Sequence, residues 1–334
     1  MAIKIAINGF GRIGRAAFKI ALEKPGIEVV AINDLTDTQT LAHLLKYDTV
    51  YGQFGHTVSF TDKALVVDGR EYPVLAKKDP AQLPWKKIGV DVVIESTGRF
   101  VEKEKAAAHL TAGAKKVVIS APAKGSGVGT FVVGVNDDEL SDEDIISNAS
   151  CTTNCIAPVA AILHSKFGIK KAMMTTIHSY TADQNLVDGP HQDLRRARTA
   201  PQNIVPTTTG AAIATAETIP ELKGIFDGLA IRVPTPVVSL CDFTILMKKK
   251  VTAEEINRAF VKAKNEPRWQ GVLDVTAEPL VSSDFIGNPH ASIVDLSLTK
   301  VVDGDLVKVV AWYDNEWGYS NTLIRICQEI GKKI

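Results

Sequence analysis

Six residues near the N-terminus restrict the fold more than any other part of the chain: Gly9-Phe10-Gly11-Arg12-Ile13-Gly14. They follow a short apolar run, Ile3 to Asn8. They open a stretch, Arg12 to Leu22, whose apolar residues recur at helical spacing before Pro25-Gly26 ends it. Glycines in that setting allow a tight turn and a close backbone approach, so that a dinucleotide pyrophosphate rests on the helix N-terminus. A second buried-type strand, 27–34, ends in Asp34, twenty residues after Gly14. A carboxylate there accepts hydrogen bonds from the adenosine ribose hydroxyls and repels a 2′-phosphate, which favours NAD over NADP. The competing reading is a glycine turn in a flavodoxin-like domain with a solvated Asp34. The coincidence of strand, glycines, helix and acid weighs against it.

The rest of the first 150 residues continues the alternation of strand and helix. A helix is expected around 38–46, a hairpin at Asp68-Gly69, strands at 90–96 and 115–120, and a helix at 102–112 ending at Gly113. Such alternation predicts a doubly wound parallel sheet. The second half reads differently. A helix over 152–167 stops at Gly168, residues 170–180 alternate like a strand, and 228–249 reads as strands bent at Pro234 and Pro236. With a helix at 253–265 and strands near 291–299 and 306–313, this half predicts an α+β domain with a mostly antiparallel sheet. The expected division is a nucleotide-binding domain, 1–150, and a catalytic domain, 151–316, with the last helix (317–334) returning to the first domain. Residues 181–209, rich in Pro, Thr, Asp and Arg, are too long for a plain connection and point to a functional loop.

Charge narrows the partners. Lys and Arg number 38 and so do Asp and Glu, a formal net charge of zero. A protein whose main task is gripping nucleic acid carries a basic surplus. Zero net charge also removes long-range attraction for anions, so any anion site must be built locally. No apolar run is long enough to predict a membrane span, and the N-terminus lacks the pattern of a secretory signal. The four cysteines, Cys151, Cys155, Cys241 and Cys327, have neither a redox nor a zinc spacing and predict reduced thiols in a cytoplasm, with no metal.

Cys151 and Cys155 lie in Ser150-Cys151-Thr152-Thr153-Asn154-Cys155, just ahead of an apolar helical run. Ser150 suits the N-cap. Cys151 then falls in the first helical turn, where the dipole stabilises a thiolate. Cys155, one turn deeper, suits a packed thiol, and Pro158 threatens a kink. Cys151 is either a nucleophile or a buried structural cysteine on this evidence alone. A nucleophilic thiol needs a base. His178, closing a strand ahead of Ser179-Tyr180-Thr181, is one candidate among seven histidines, although a histidine so placed is also an ordinary structural residue. Anion sites can be read at Ser150 and Thr152, at Thr209-Gly210 before a second helical run, and at Arg232, whose guanidinium is costly on an apolar strand without a partner. Arg195, Arg196 and Arg198 add local positive charge or mark a solvated or intersubunit face.

Five blocks taken in order carry a closer likeness: INGFGRIGR, SNASCTTNC, HSYTADQ, DLRRARTAPQNIVPTTTGAA and WYDNEWGYSN. With them, over essentially its whole length, the chain resembles the phosphorylating, NAD-dependent, glycolytic glyceraldehyde-3-phosphate dehydrogenases. The resemblance implies that Cys151 attacks the aldehyde carbon of glyceraldehyde 3-phosphate to give a thiohemiacetal. His178 is then the base, and a thioester on Cys151 yields to inorganic phosphate, giving 1,3-bisphosphoglycerate. It implies that Thr181 and Arg232 cradle the substrate phosphate, and that Ser150, Thr152, Thr209 and Gly210, supported by Arg196, hold the attacking phosphate. For NAD it implies Gly9, Gly11, Arg12, Ile13 and Gly14 at the pyrophosphate, Asp34 at the ribose, Lys78 near the adenine, Ser120 at a strand end, and Asn315 at the nicotinamide carboxamide. It further implies a homotetramer, with 181–209 at a subunit interface. The rivals are an erythrose-4-phosphate dehydrogenase, an NADP-using gluconeogenic form, a Cys-His hydrolase, which leaves the glycines and Asp34 without a role, and a thiol redox sensor or RNA-associated binding protein, which zero charge disfavours.

Overall fold

The computed structural model describes residues 2–334 and divides into two compact units. One contains the chain up to Phe131, with 137–149 and 320–334; the other contains 132–136 and 150–319.

The first unit is built on a nine-stranded sheet. Strand Ile3–Asn8 lies in its middle, paired in parallel with Ile27–Asn33 on one side and Val92–Glu95 on the other. Lys116–Ile119 and Ile145–Ser147 extend the parallel run. Arg70–Leu75 pairs parallel to Ile27–Asn33, and the antiparallel strands Ala64–Val67 and Val58–Thr61 finish that edge. The chain leaves the central strand in both directions, so a crevice opens at its C-terminal end, where Gly9 begins. The central strands are apolar on both faces, as burial between helices demands; Ile5, Ala6, Ile7, Val92, Val93 and Ile94 are fully buried. The Asp68-Gly69 turn takes left-handed angles at both residues, φ 48° and 79°, as a two-residue hairpin requires. One expectation changes in detail. The 102–112 helix is interrupted at Ala107, between Lys103–Ala106 and Ala108–Thr111. The closing segment is tied down within this unit: Gln328 donates to the Pro25 carbonyl at 3.0 Å, and Gly331 lies so close to Ile3 that a Cβ would meet its side chain at 2.6 Å.

The second unit holds an eight-stranded sheet in which Ile169–Ser179 is flanked by Phe226–Val233, in parallel, and by Ser239–Met247, antiparallel. Leu306–Tyr313 follows, antiparallel. The sheet is mostly antiparallel, with a second parallel pair between Leu273–Thr276 and Ser292–Asp295. Helix Cys151–Phe167 packs on this sheet and on helices Ala211–Thr218 and Ala253–Ala263. Every residue from Thr152 to Ala160 is buried, so this stretch is enclosed on all sides, and the apolar run from Cys155 to Leu163 has no polar face. It runs through Pro158 without a break, the packing on several sides outweighing the local cost of a missing N–H. Within 181–209, Ala200–Gln202 forms a helical turn and Val205–Thr207 a strand. The remainder is held by side chains: Asp188 accepts from Arg198 and Thr199, and Asn185 donates to the Gly189 carbonyl.

Candidate active site

Two constellations correspond to the candidate residues, one in each unit. In the first unit a cleft of about 730 Å³ is lined by Asn8, Gly9, Gly11, Asn33, Asp34, Lys77, Lys78, Ser96 and Thr97 among others. Its floor needs glycine. Gly9 has φ 94°, and a Cβ there would meet the Thr97 nitrogen at 2.8 Å; a Cβ on Gly14 would meet the Gly9 carbonyl at 2.1 Å. Gly11, the N-cap of helix Arg12–Glu23, has nothing within 4 Å of where a Cβ would stand, so its approach is open. First-turn N–H groups point out of a helix end, and Arg12, Ile13 and Gly14 occupy that turn. Asp34 accepts from Phe10 N at 2.7 Å and Thr36 N at 2.9 Å, which fixes its carboxylate at the cleft wall. A pyrophosphate on the glycines and a ribose at Asp34 fit this donor and acceptor set, and the site suits NAD. Ser120 follows the strand Lys116–Ile119, with its N–H on the Glu95 carbonyl at 2.9 Å, and does not line the cleft.

In the second unit Ser150 is the N-cap of the Cys151–Phe167 helix, accepting from Thr153 N at 3.1 Å, as the sequence predicts. Cys151 is its first residue and is half-buried. Its Sγ lies 3.4 Å from Nε2 of His178. Nδ1 of His178 is 2.7 Å from the Ser179 carbonyl. A carbonyl only accepts, so Nδ1 carries the hydrogen and Nε2 turns its lone pair to the sulfur. Strand register supplies the third member: His178 stands opposite Arg232 on the neighbouring parallel strand. Arg232 Nη1 lies 3.2 Å from His178 Nδ1, donates to the Ser179 carbonyl at 3.1 Å, and reaches Thr181 Oγ1 at 3.3 Å.

The protonation of this group differs from the thiolate that the helix position suggests. Burial pushes the Cys151 thiol up to about 11, against the pull of the Arg232 charge and the hydrogen bonds from Thr152. Burial, and then Arg232, push His178 down to about 3. Desolvation outweighs the helix dipole, whose effect is about 0.3–1 kcal/mol at exposed sites. The resting pair is a thiol facing a neutral imidazole, with a guanidinium beside it.

Arg232 offers an anion site. Among the described residues its Nε is buried with no hydrogen-bond partner, and the hydrogen bonds of its side chain run through Nη1. Burial and then Arg196 lower its pKa, a cost that a bound anion relieves. Arg196 is committed differently: it pairs with Asp183, donates to Thr207 Oγ1 at 2.9 Å and to the Thr208 carbonyl at 3.1 Å, and so braces the approach to helix Ala211–Thr218. Gly210 is the N-cap of that helix, and Thr209 Oγ1 accepts from Ala211 N at 3.2 Å. The Thr152 hydroxyl is engaged with Tyr313 Oη at 3.0 Å, so its side chain faces the core.

Several residues of this arrangement carried no signal by themselves. Tyr313 bridges Thr152 and Thr176 (2.8 Å), joining the thiol helix to the histidine strand, and its ring meets the His178 ring edge-on at 6.0 Å. Ser179 and Ser239 both donate to Asn315 Oδ1, at 2.9 and 3.0 Å, which fixes how the Asn315 amide points. Asp183, the partner of Arg196, lies in the HSYTADQ block, but only proximity reveals its role. Cys155 is fully buried against Ser292 and the Ala311 carbonyl, as a packed thiol.

The family model for the NAD binding domain of glyceraldehyde 3-phosphate dehydrogenase matches residues 3–103, and that for the C-terminal domain matches residues 150–315. The chain is 56% identical over 335 aligned positions to the glyceraldehyde-3-phosphate dehydrogenase of Geobacillus stearothermophilus, covering all of this chain and 99% of the relative. It is 54% identical to glyceraldehyde-3-phosphate dehydrogenase 1 of Bacillus subtilis, with the same coverage. It is 51% identical to the Streptomyces coelicolor enzyme of that name over the full length of both chains.

Proposed function

The chain belongs to the glyceraldehyde-3-phosphate dehydrogenase family, and from that premise we propose how its residues divide the oxidation of glyceraldehyde 3-phosphate with NAD. The observation that carries the reading is the 3.4 Å approach of Cys151 Sγ to a His178 whose other nitrogen is held by the Ser179 carbonyl.

The thiol proton passes to His178 Nε2 as Sγ bonds to the aldehyde carbon, and the proton then settles on the carbonyl oxygen, giving a thiohemiacetal. Proton transfer coupled to attack suits a pair that is neutral at rest. NAD, once held by the glycine turn and Asp34, would supply the hydride acceptor for that carbon. His178 takes the hydroxyl proton back in the same step, leaving a thioester on Cys151. Arg232 and Thr181 hold the substrate phosphate; an anion there also offsets the Arg232 charge, which after burial is the next cause that keeps His178 from protonating. Inorganic phosphate, held between the Cys151 helix N-terminus and the Thr209-Gly210 turn, attacks the thioester and releases an acyl phosphate. Cys151 leaves as a thiolate and recovers its proton from His178. Asp34 and the glycine turn hold the adenosine and pyrophosphate, Lys78 the adenine side, and Asn315 the carboxamide.

The test is NADH formation from glyceraldehyde 3-phosphate with and without phosphate or arsenate. The rate collapses without either anion; full-rate oxidation in their absence overturns the phosphorylating scheme. The same proposal includes a cytoplasmic homotetramer. Support comes from four free cysteines and from a run of exposed apolar side chains, Leu186, Val187, Leu194 and Ile204, in the long loop. Sedimentation equilibrium that returns a monomer refutes the tetramer.

A further inference from the structure

A buried polar chain in the first unit has no part in the chemistry above. Glu95 ends a central strand and is 1% exposed; His109 is fully buried. Oε1 of Glu95 accepts from Thr97 N at 2.9 Å and from the Thr97 hydroxyl. Oε2 accepts from Asn8 Nδ2 at 2.5 Å and meets His109 Nε2 at 2.9 Å. The second ring nitrogen of His109 receives the indole N–H of Trp85 at 3.1 Å. An indole only donates, so Nδ1 accepts, and the hydrogen sits on Nε2, aimed at Glu95. One tautomer satisfies Trp85 and Glu95 together, while Asn8 Nδ2, 3.3 Å from the same Nε2, directs its hydrogen to Glu95, so the His109–Glu95 contact acts as a fixed strut.

The chain continues on the other side. Asn8 Oδ1 accepts from Asn33 Nδ2 at 2.7 Å, and Asn33 exchanges two 2.9 Å hydrogen bonds with the backbone of Lys77. Thr97 and Lys77 both line the nucleotide cleft, and the strands that lead into them, Val92–Glu95 and Arg70–Leu75, lie on opposite sides of the central pair Ile3–Asn8 and Ile27–Asn33. Thr97 also abuts the Gly9 backbone so closely that no Cβ fits between them. A continuous line, Trp85–His109–Glu95–Asn8–Asn33, therefore leads from the core to the cleft, which Asn8 and Asn33 line, and touches both its sides. Side chains held by one-way partners cannot rearrange cheaply.

We propose that His109 and Glu95 are positioning residues for the cofactor, setting the spacing of the Thr97 and Lys77 sides without touching NAD. The proposal rests on NAD occupying this cleft.

The test measures Kd for NAD by calorimetry, with kcat and both KM values, in His109→Leu, His109→Gln, Glu95→Gln and Asp34→Ala. A glutamine at 109 can accept from Trp85 and donate to Glu95, whereas leucine can do neither. His109→Leu is expected to raise Kd and KM for NAD about tenfold, leaving kcat at saturating NAD and KM for glyceraldehyde 3-phosphate within about twofold. His109→Gln recovers most of the loss. Glu95→Gln places donors against donors and weakens NAD as leucine does; it carries the test if His109→Leu does not fold. Unchanged NAD affinity in folded His109→Leu or Glu95→Gln, or a glutamine as damaging as leucine, overturns the proposal. If Asp34→Ala weakens NAD in that case, the cofactor assignment stands alone. If Asp34→Ala is also silent, both readings fall.

Discussion

Replacing Arg232 by glutamine tests which charge controls the reactive thiol. The guanidinium sits 3.2 Å from the His178 ring, and the ring carries the sulfur 3.4 Å beyond its far nitrogen. Taking the cationic centre at roughly 5 Å from the imidazole and roughly 8 Å from Sγ, with an effective dielectric of about 20, Arg232 disfavours an imidazolium by ~3 kcal/mol and favours a thiolate by ~2 kcal/mol. For a thiolate–imidazolium pair the two effects largely cancel, to ~1 kcal/mol. For a thiolate beside a neutral imidazole they do not. Without Arg232 the thiol, already pushed up to about 11 by burial, rises further, and a loss of ~2 kcal/mol leaves roughly 30-fold less thiolate at a given pH.

The assay is alkylation of Cys151 by uncharged iodoacetamide across pH 6–10 in the absence of substrate, the native enzyme setting the reference. At pH 10, where the thiolate carries the reaction, Arg232→Gln should slow alkylation roughly 10- to 30-fold. Near pH 6 the ion pair carries it, and the rate should hold or rise a few-fold, because His178 is released towards its ordinary value. Arg232→Lys keeps the charge and should keep the pH profile, while losing the fork that grips a phosphate. A uniform loss at all pH values in Arg232→Gln would refute the electrostatic argument and make Arg232 a packing residue.

Other outcomes are accessible by standard means. Cys151→Ser should abolish NADH formation, whereas Cys155→Ser should keep much of it, because Cys155 Sγ is packed against Ser292 and no substrate needs it; the reverse pattern in a rate assay reassigns the nucleophile. Asp34→Gly should narrow the preference for NAD over NADP in kcat/KM by removing the carboxylate that repels a 2′-phosphate, and an unchanged ratio takes Asp34 out of cofactor choice. His178 is held neutral down to about 3, against an ordinary value near 6.5, so the unfolded chain binds the extra proton between those limits. Stability should therefore fall as pH drops from 6.5 towards 3, by up to ~1.4 kcal/mol per unit from this residue. Denaturant titrations of His178→Asn should show a shallower slope over that window; equal slopes would contradict the burial argument. Ser150→Ala should cost about 1 kcal/mol in the same titrations, through loss of the helix cap.

The sequence by itself determined whatever depends on neighbours along the chain. A strand, three glycines and a helix start are local, and Gly9 and Gly14 are glycine because the backbone leaves no room for a Cβ there. The Ser150 cap, the Asp68-Gly69 turn and the alternating burial of Ser239–Met247 follow from the same short range. The order of five blocks was enough to identify the family, and with it the candidate nucleophile and base.

Only the tertiary structure decided how those residues meet and which protons they hold. Cys151 and His178 are brought to 3.4 Å by the packing of a helix on a sheet, and His178 meets Arg232 through the register of two parallel strands; neither follows from spacing in the chain. Tyr313, Asp183 and the Glu95–His109 strut were silent for the same reason, each being defined by partners far away in sequence. The thiol is the clearest case. Position in the first helical turn points to a thiolate, a local effect. Burial, which only the fold confers, is larger and opposite, and it leaves a neutral pair that ionises as the reaction begins.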